Sequence, residues 1–150
     1  MMNRLRAIGF SFALTSLLAA PGHANDTPRP SLVLTAEENG TVPQDEFSCD
    51  GKIHGYLRLP RRQTGPHVLE ARWIKPDGKV AAESHDPLTF EPPGRSTAYI
   101  WFTFPERAKS LSALDPKSDE DRLTFNGKWK VEVTWDHEPL VTSTFTVRCL

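Results

Sequence analysis

Residues 127–149 constrain the fold of this chain more than any other stretch, because two alternating runs flank a short polar break there. Successive side chains on a β-strand point to opposite faces, so each run offers one face to a core and one to water. The break, Asp136-His137-Glu138-Pro139, has the length and composition of a hairpin loop. The sequence therefore predicts a terminal β-hairpin. Its core face consists of Trp129, Val131, Val133, Trp135, Val141, Ser143, Phe145, Val147 and Cys149.

The amino terminus has the pattern of a secretory signal peptide. Arg4 and Arg6 form a basic start, and the apolar run Ala7–Ala20 follows them. That run has 14 residues, fewer than the roughly 20 that a membrane-spanning helix needs. Gly22 and Ala24 then supply the small residues of a cleavage site. We expect cleavage after Ala24 rather than a retained anchor helix.

The expected mature chain begins with a flexible lead-in, residues 25–30, and continues as one domain over residues 31–150. Removal of residues 1–24 leaves 16 basic and 19 acidic residues, a net charge of −3. Such a balance does not favour nucleic acid or an anionic membrane as a partner. No second apolar run approaches membrane length, so we expect a periplasmic or secreted protein with no membrane insertion after cleavage.

Two cysteines, Cys49 and Cys149, remain in the expected mature chain. Two thiols in an oxidising compartment favour one disulfide over two free thiols. Their separation of 100 positions would give such a bridge a large effect on the entropy of the unfolded chain.

Short alternating runs recur between turn signals along the rest of the chain. The two Pro-containing stretches 60–66 and 85–96 are interpreted as surface connections, and residues 106–114 as one short helix within the insertion 105–126. The pattern predicts an all-β fold, an antiparallel seven-stranded β-sandwich with one short helical insertion; a closed barrel is the alternative. The strands expected before the terminal hairpin lie at 31–36, 52–59, 67–74, 79–84 and 97–104.

Two segments resemble those of small bacterial immunoglobulin-like or fibronectin-type-III-like domains. They are Gly65–Lys79, which reads GPHVLEARWIKPDGK, and the terminal GKWKVEV…PLVTSTFTV. The resemblance covers roughly residues 47–149 and implies an immunoglobulin-like strand order, but it transfers no catalytic residue. In that order Cys49, before the second strand, and Cys149, at the end of the last, lie at the same end of the domain. The resemblance thus implies that the two can form the bridge.

Signatures of catalysis and of cofactor binding are absent from the sequence. No nucleophile elbow, zinc-protease helix, P-loop or C-x-x-C motif occurs, and we expect neither an enzyme nor a cofactor. The histidines are widely spaced, so we assign no metal site. A periplasmic metal-binding carrier remains an alternative function, because His54 and His67 lie on successive strands and Glu83, His85 and Asp86 lie close in sequence.

One tryptophan differs from the other three in its predicted face. Trp73, Trp129 and Trp135 fall on core positions, whereas Trp101 alternates with Ile100 and Phe102 and so points outward. The strand at 52–59 is expected to pair with the strand at 97–104, and its outer face also carries aromatic and basic residues. This predicts one partner-binding patch, which we call the aromatic face: His54, Tyr56, Arg58, Tyr99 and Trp101.

Two interpretations of the aromatic face remain open. An exposed aromatic cluster on a secreted protein marks a contact site. Alternatively, the insertion 105–126, through Leu111 and Leu114, or the amino-terminal segment covers it as part of the fold. The sequence favours a non-catalytic, exported protein-binding module whose partner is another envelope or secreted protein. It would serve as an accessory subunit of a cell-envelope system or, alternatively, as an inhibitor of an exported enzyme.

Overall fold

The computed structural model describes residues 28–105 and 123–149, and six strands make up most of them. No helix in this part of the chain is long and apolar enough to cross a membrane. Residues 123–125 are helical, whereas the signal peptide and the helix predicted at 106–114 lie outside the described residues. The strands are β1 Ser31–Thr35, β2 Glu46–Ser48, β3 Lys52–Ile74, β4 Val80–Thr103, β5 Gly127–Trp135 and β6 Glu138–Arg148.

Two long strands, β3 and β4, pair with each other and belong to both layers of the fold. The first part of β3 pairs with β1, from Thr35 opposite His54 to Ser31 opposite Arg58. Its last part pairs with β5, from Leu69 opposite Trp135 onward. One layer therefore contains β1 and the adjoining ends of β3 and β4. The other contains the remaining parts of β3 and β4 with β5, β6 and β2. This is an immunoglobulin-like β-sandwich.

Six strands are present in the described residues instead of the predicted seven. Both predicted surface connections are strand, so four predicted strands form only two, and the short β2 was not predicted. Residues 60–66 belong to β3, and residues 85–96 belong to β4. The pairing of the two strands is irregular between Arg58 and Gly65, which is where the chain passes from one layer to the other. Prolines are tolerated at such bulges and at strand edges. Reading these prolines as the end of each strand was therefore wrong.

The core consists of the inward faces of the two layers. Trp73 of one layer stacks on Phe102 of the other, with ring centroids 5.3 Å apart, and Phe102 also lies 5.4 Å from the ring of Trp129. The sequence-based assignment of faces is confirmed for these residues, all of which are buried. The predicted hairpin is present as β5 and β6, and its turn contains only Asp136 and His137, both with positive φ.

The Cys49–Cys149 disulfide is present, with the two Cα atoms 5.0 Å apart. Strand β2 pairs in parallel with β6, Phe47 opposite Val147 and Ser48 opposite Arg148. Cys49 directly follows β2 and Cys149 directly follows β6. The parallel register therefore places the two cysteine side chains together. The bridge ties the start of the domain to its last strand.

Candidate functional site

Strands β3 and β4 bring the five residues of the aromatic face together. His54 lies opposite Trp101, Tyr56 opposite Tyr99, and Arg58 opposite Thr97. Residues directly opposite each other in an antiparallel pair have side chains on the same face of the sheet. Their neighbours at 53, 55, 57, 98, 100 and 102 point into the core or pack against it, so the aromatic face lies on the outside of the layer that contains β1.

Three aromatic rings form a continuous row on this face. Trp101 is 51% exposed, and its ring stacks on that of Tyr99 with centroids 5.6 Å apart and an interplanar angle of 21°. Tyr99 in turn lies 5.3 Å from the ring of Tyr56. Aromatic contacts of this kind contribute about 0.5–1.5 kcal/mol per pair beyond the burial of the rings. The row holds Trp101 in one orientation while leaving half of its surface in water.

His54 has a different position from the other four residues, since it is only 6% exposed. Its Nδ1 is hydrogen-bonded to the hydroxyl of Tyr99. Burial raises the pKa of the Tyr99 hydroxyl, and the nearby Tyr56 and Glu38 raise it further. The hydroxyl therefore stays protonated at neutral pH. His54 orients Tyr99 from beneath rather than offering a contact surface of its own.

The turn that follows β1 covers the His54 end of the aromatic face. Thr35, opposite His54, is 2% exposed, and its Oγ1 accepts a hydrogen bond from Glu37 N–H at 3.2 Å. Asn39 N–H donates to the hydroxyl of Tyr56. This turn thus covers part of the face, but Trp101 remains half exposed. Residues 106–122 of the insertion lie outside the described part of the chain.

Arg58 marks the other end of the aromatic face. It is exposed and lies opposite Ser31 of β1 on one side and Thr97 of β4 on the other. Within residues 28–105 and 123–149 its guanidinium has no carboxylate partner. Its charge is therefore free to meet an acidic group of another molecule.

The histidines considered for a metal site lie in separate places. His54 is in the β1 layer, whereas His67, His85 and His137 are on the opposite sheet, and Glu70 accepts from His85 Nδ1 at 2.9 Å and from His137 Nδ1 at 3.3 Å. Among the described residues no three His, Cys, Asp or Glu side chains form a group suited to a metal ion. Hydrogen bonding by His85, with Thr134 and His137, lowers the pKa of the Glu70 carboxyl.

A second ion pair joins the hairpin turn to β3. Asp136 Oδ2 accepts from His67 Nδ1 at 2.8 Å, and Oδ1 accepts from Val68 N–H at 2.9 Å. The first of these bonds is the main cause of a lowered pKa for the Asp136 carboxyl. The sequence placed His137 in the hairpin loop, but nothing in its spacing from Glu70 indicated that the two would meet. These contacts hold the turn between β5 and β6 in place.

Comparison with known proteins found similarity only at the level of structure. No family model matches the chain, and no curated protein matches its sequence. An immunoglobulin-like protein from Pseudomonas aeruginosa is 17% identical with a TM-score of 0.46, over 79% of this chain and 91% of that one. An alkylpurine DNA glycosylase from Pseudomonas fluorescens is 12% identical with a TM-score of 0.46, over 80% of this chain and 30% of that one.

A third solved structure, a CARDB domain from Pyrococcus furiosus in complex with di-metal ions, is 13% identical with a TM-score of 0.36, over 81% of this chain and 94% of that one. Likeness this distant says nothing about activity. The immunoglobulin-like assignment rests on the strand pairings of the chain itself.

Proposed function

We propose that this protein is a non-catalytic, exported module that binds another envelope or secreted protein through its aromatic face. The observation that carries the proposal is the position of Trp101, half exposed on the outside of a sheet and stacked on Tyr99. Tryptophan, tyrosine and arginine are the residue types that most often dominate binding energy at interfaces. The exposed part of the face offers all three, in Trp101, Tyr99 with Tyr56, and Arg58.

The rigidity of the face supports a binding role. Tyr99 is fixed by a hydrogen bond with His54, by the stacked ring of Trp101 and by the tilted ring of Tyr56. A side chain that is already ordered in the free protein loses little rotamer entropy when a partner docks. Binding through Tyr99 therefore loses less conformational entropy than binding through a mobile side chain would.

Two features of the chain support export to an oxidising compartment. Residues 1–24 have the composition of a signal peptide, and the Cys49–Cys149 disulfide is of a kind that persists in oxidising compartments. We therefore expect the partner in the periplasm or outside the cell. An accessory subunit would bind a component of an envelope assembly, and an inhibitor would bind an enzyme, so the identity of the partner separates these roles.

The test compares Trp101→Ser with Val80→Ser, a control on the same strand that replaces another exposed apolar residue, 39% exposed and outside the aromatic face. Each protein, purified with its disulfide intact, is used as bait for an envelope extract, and its thermal melting is recorded. We expect Trp101→Ser to lose a captured protein that Val80→Ser retains. Its stability should fall clearly less than that of Trp73→Ser, because half of the Trp101 indole is already in water in the folded protein.

Two results would contradict the proposal. A stability loss of about 3–5 kcal/mol, typical of a buried Trp such as Trp73, would mean that Trp101 is packed under another part of the chain. Capture that is equal with and without the Trp101 side chain would mean that partners bind elsewhere.

A further inference from the structure

One side of the sandwich is lined by the two halves of a single strand. Strand β4 pairs with β3, and no strand within the described ranges pairs with its other edge. Because β4 changes layer along its length, its first half forms the edge of one sheet and its second half the edge of the other. The gap between these edges opens the interior of the sandwich to solvent.

Two adjoining cavities occupy this gap, and we call them together the side groove. The smaller, about 240 Å³, lies between residues 82–86 and 101–103 with Trp73 at its base. The larger, about 510 Å³, lies between residues 86–90 and 95–101 with Tyr56 beside it. Asp86 and Trp101 line both cavities. The side groove is therefore continuous with the aromatic face along the indole of Trp101.

Asp86 is the unusual residue of the side groove. It lies opposite Leu69, which is fully buried, so its half-buried carboxylate is on the inner side of the sheet. No cation or hydrogen-bond donor in the described part of the chain partners it, although Arg95 lines the same cavity. The other acidic residue of the groove, Glu83, is paired with Arg72 at 2.9 Å. An unpaired carboxylate that is partly withdrawn from water favours a cationic ligand.

The edge of β4 limits how a partner can reach Asp86. The N–H of Val68 donates to the side-chain Oδ1 of Asp136, and its carbonyl accepts from the Asp136 N–H. Both backbone groups of Val68 therefore point away from Pro87, which lies opposite it on β4. The backbone of Pro87 therefore points to the open edge and offers no N–H there. Since an added strand would lack a donor next to Asp86, the partner is expected to be anchored by a side chain that enters the groove.

We propose that the side groove receives a lysine or arginine side chain from an extended segment of the partner protein, with its cationic group on Asp86 and its aliphatic stem against Trp101. The carboxylate supplies a charge-assisted hydrogen bond to the cationic group, and the indole packs against the aliphatic stem. This inference rests on the proposed function and specifies the partner's chemistry.

The experiment selects random heptapeptides displayed on phage against the disulfide-bonded protein. Enriched sequences are expected to share one basic position flanked by apolar residues. The most enriched peptide is then synthesised together with a neutral counterpart, citrulline for arginine or acetyl-lysine for lysine, and both are titrated calorimetrically. We expect the neutral peptide and the Asp86→Asn variant each to weaken binding at least about tenfold, as loss of a charge-assisted hydrogen bond does. Glu91→Gln, which neutralises an exposed carboxylate of the same strand that lines neither cavity, is the matched control and should change it less than twofold.

Each remaining outcome overturns the inference. No enrichment, enrichment without a basic position, or equal binding by Asp86→Asn would show that Asp86 is only an inward-pointing charge protecting a strand edge. Peptides that lack a basic residue but require Trp101 would overturn this inference while leaving the proposed function intact. An envelope partner whose capture does not depend on Trp101 would contradict the proposed function itself.

Discussion

Removing the Cys49–Cys149 bridge is expected to lower the free energy of unfolding by about 3–5 kcal/mol. The two cysteines are 100 residues apart in sequence, and a loop of that length loses about 4.7 kcal/mol of closure entropy when it is cross-linked in the unfolded chain. Compactness of the real unfolded chain reduces this effect, which sets the lower end of the range.

The expected change in melting temperature follows from the size of the domain. At about 2.1 cal/mol/K per residue, a domain of about 120 residues unfolds with an entropy near 0.25 kcal/mol/K. A loss of 3–5 kcal/mol then lowers the melting temperature by about 12–20 °C. The first structure to separate should be β2, since its three residues pair with β6 and with no other strand of the described residues.

The assay is urea unfolding of three forms: the oxidised protein, the reduced protein, and Cys49→Ala/Cys149→Ala. Cys49 is 2% exposed, so the alanine variant also loses some packing, whereas the reduced protein keeps both sulfur atoms. The reduced protein therefore isolates the effect of the cross-link. A difference below 1 kcal/mol between the oxidised and reduced forms would refute the loop-closure argument.

Three further changes test other parts of the structure by thermal or urea unfolding. Gly94→Ala should cost more than Gly65→Ala, because both have φ near +84° but an added Cβ at Gly94 would lie 2.4 Å from a backbone oxygen, and at Gly65 nothing lies within 4 Å; equal losses would contradict this. The pKa of Asp136 is lowered by its bond from His67, so its stabilisation is complete above the unfolded pKa, about 3.9, and is lost as pH falls through the lower folded value. Asp136→Asn should therefore flatten the acid side of the stability profile, and an unchanged slope would count against the ion pair. Trp129→Phe should lower the free energy of unfolding by about 1–3 kcal/mol, because the indole N–H donates to the buried backbone carbonyl of Phe125 at 2.7 Å and the variant leaves that carbonyl without its donor. A neutral result would mean that water replaces this bond.

Sequence alternation correctly predicted the faces on which three of the tryptophans lie. It placed Trp73 and Trp129 inside and Trp101 outside, and the structure agrees for all three. The count of two cysteines predicted the bridge. These predictions succeeded because each depends on a local property, the two-residue period of a strand or the presence of one possible thiol pair.

Other features depend on which strands pair, and so only the tertiary structure decided them. The prolines near the middle of β3 are typical of a loop in the sequence, but in the structure that stretch is extended and pairs with β4 at Gln63 and Gly65. His54 alternates as an outward residue, yet the turn after β1 buries it. The sequence places Asp86 in a predicted surface connection, but in the structure it lies on the inner side of the sheet, at the open side of the sandwich. Backbone pairing and burial are non-local, so the residues that determine them are distant in the sequence.

The terminal hairpin shows both kinds of information together. Its alternation determined the faces of β5 and β6 without reference to the rest of the chain. The parallel pairing of β6 with the three-residue β2, and with it the distance between Cys49 and Cys149, came only from the assembled sheet. A strand of that length has too few residues to show a period of its own, and its position is determined by the neighbour that satisfies its backbone hydrogen bonds.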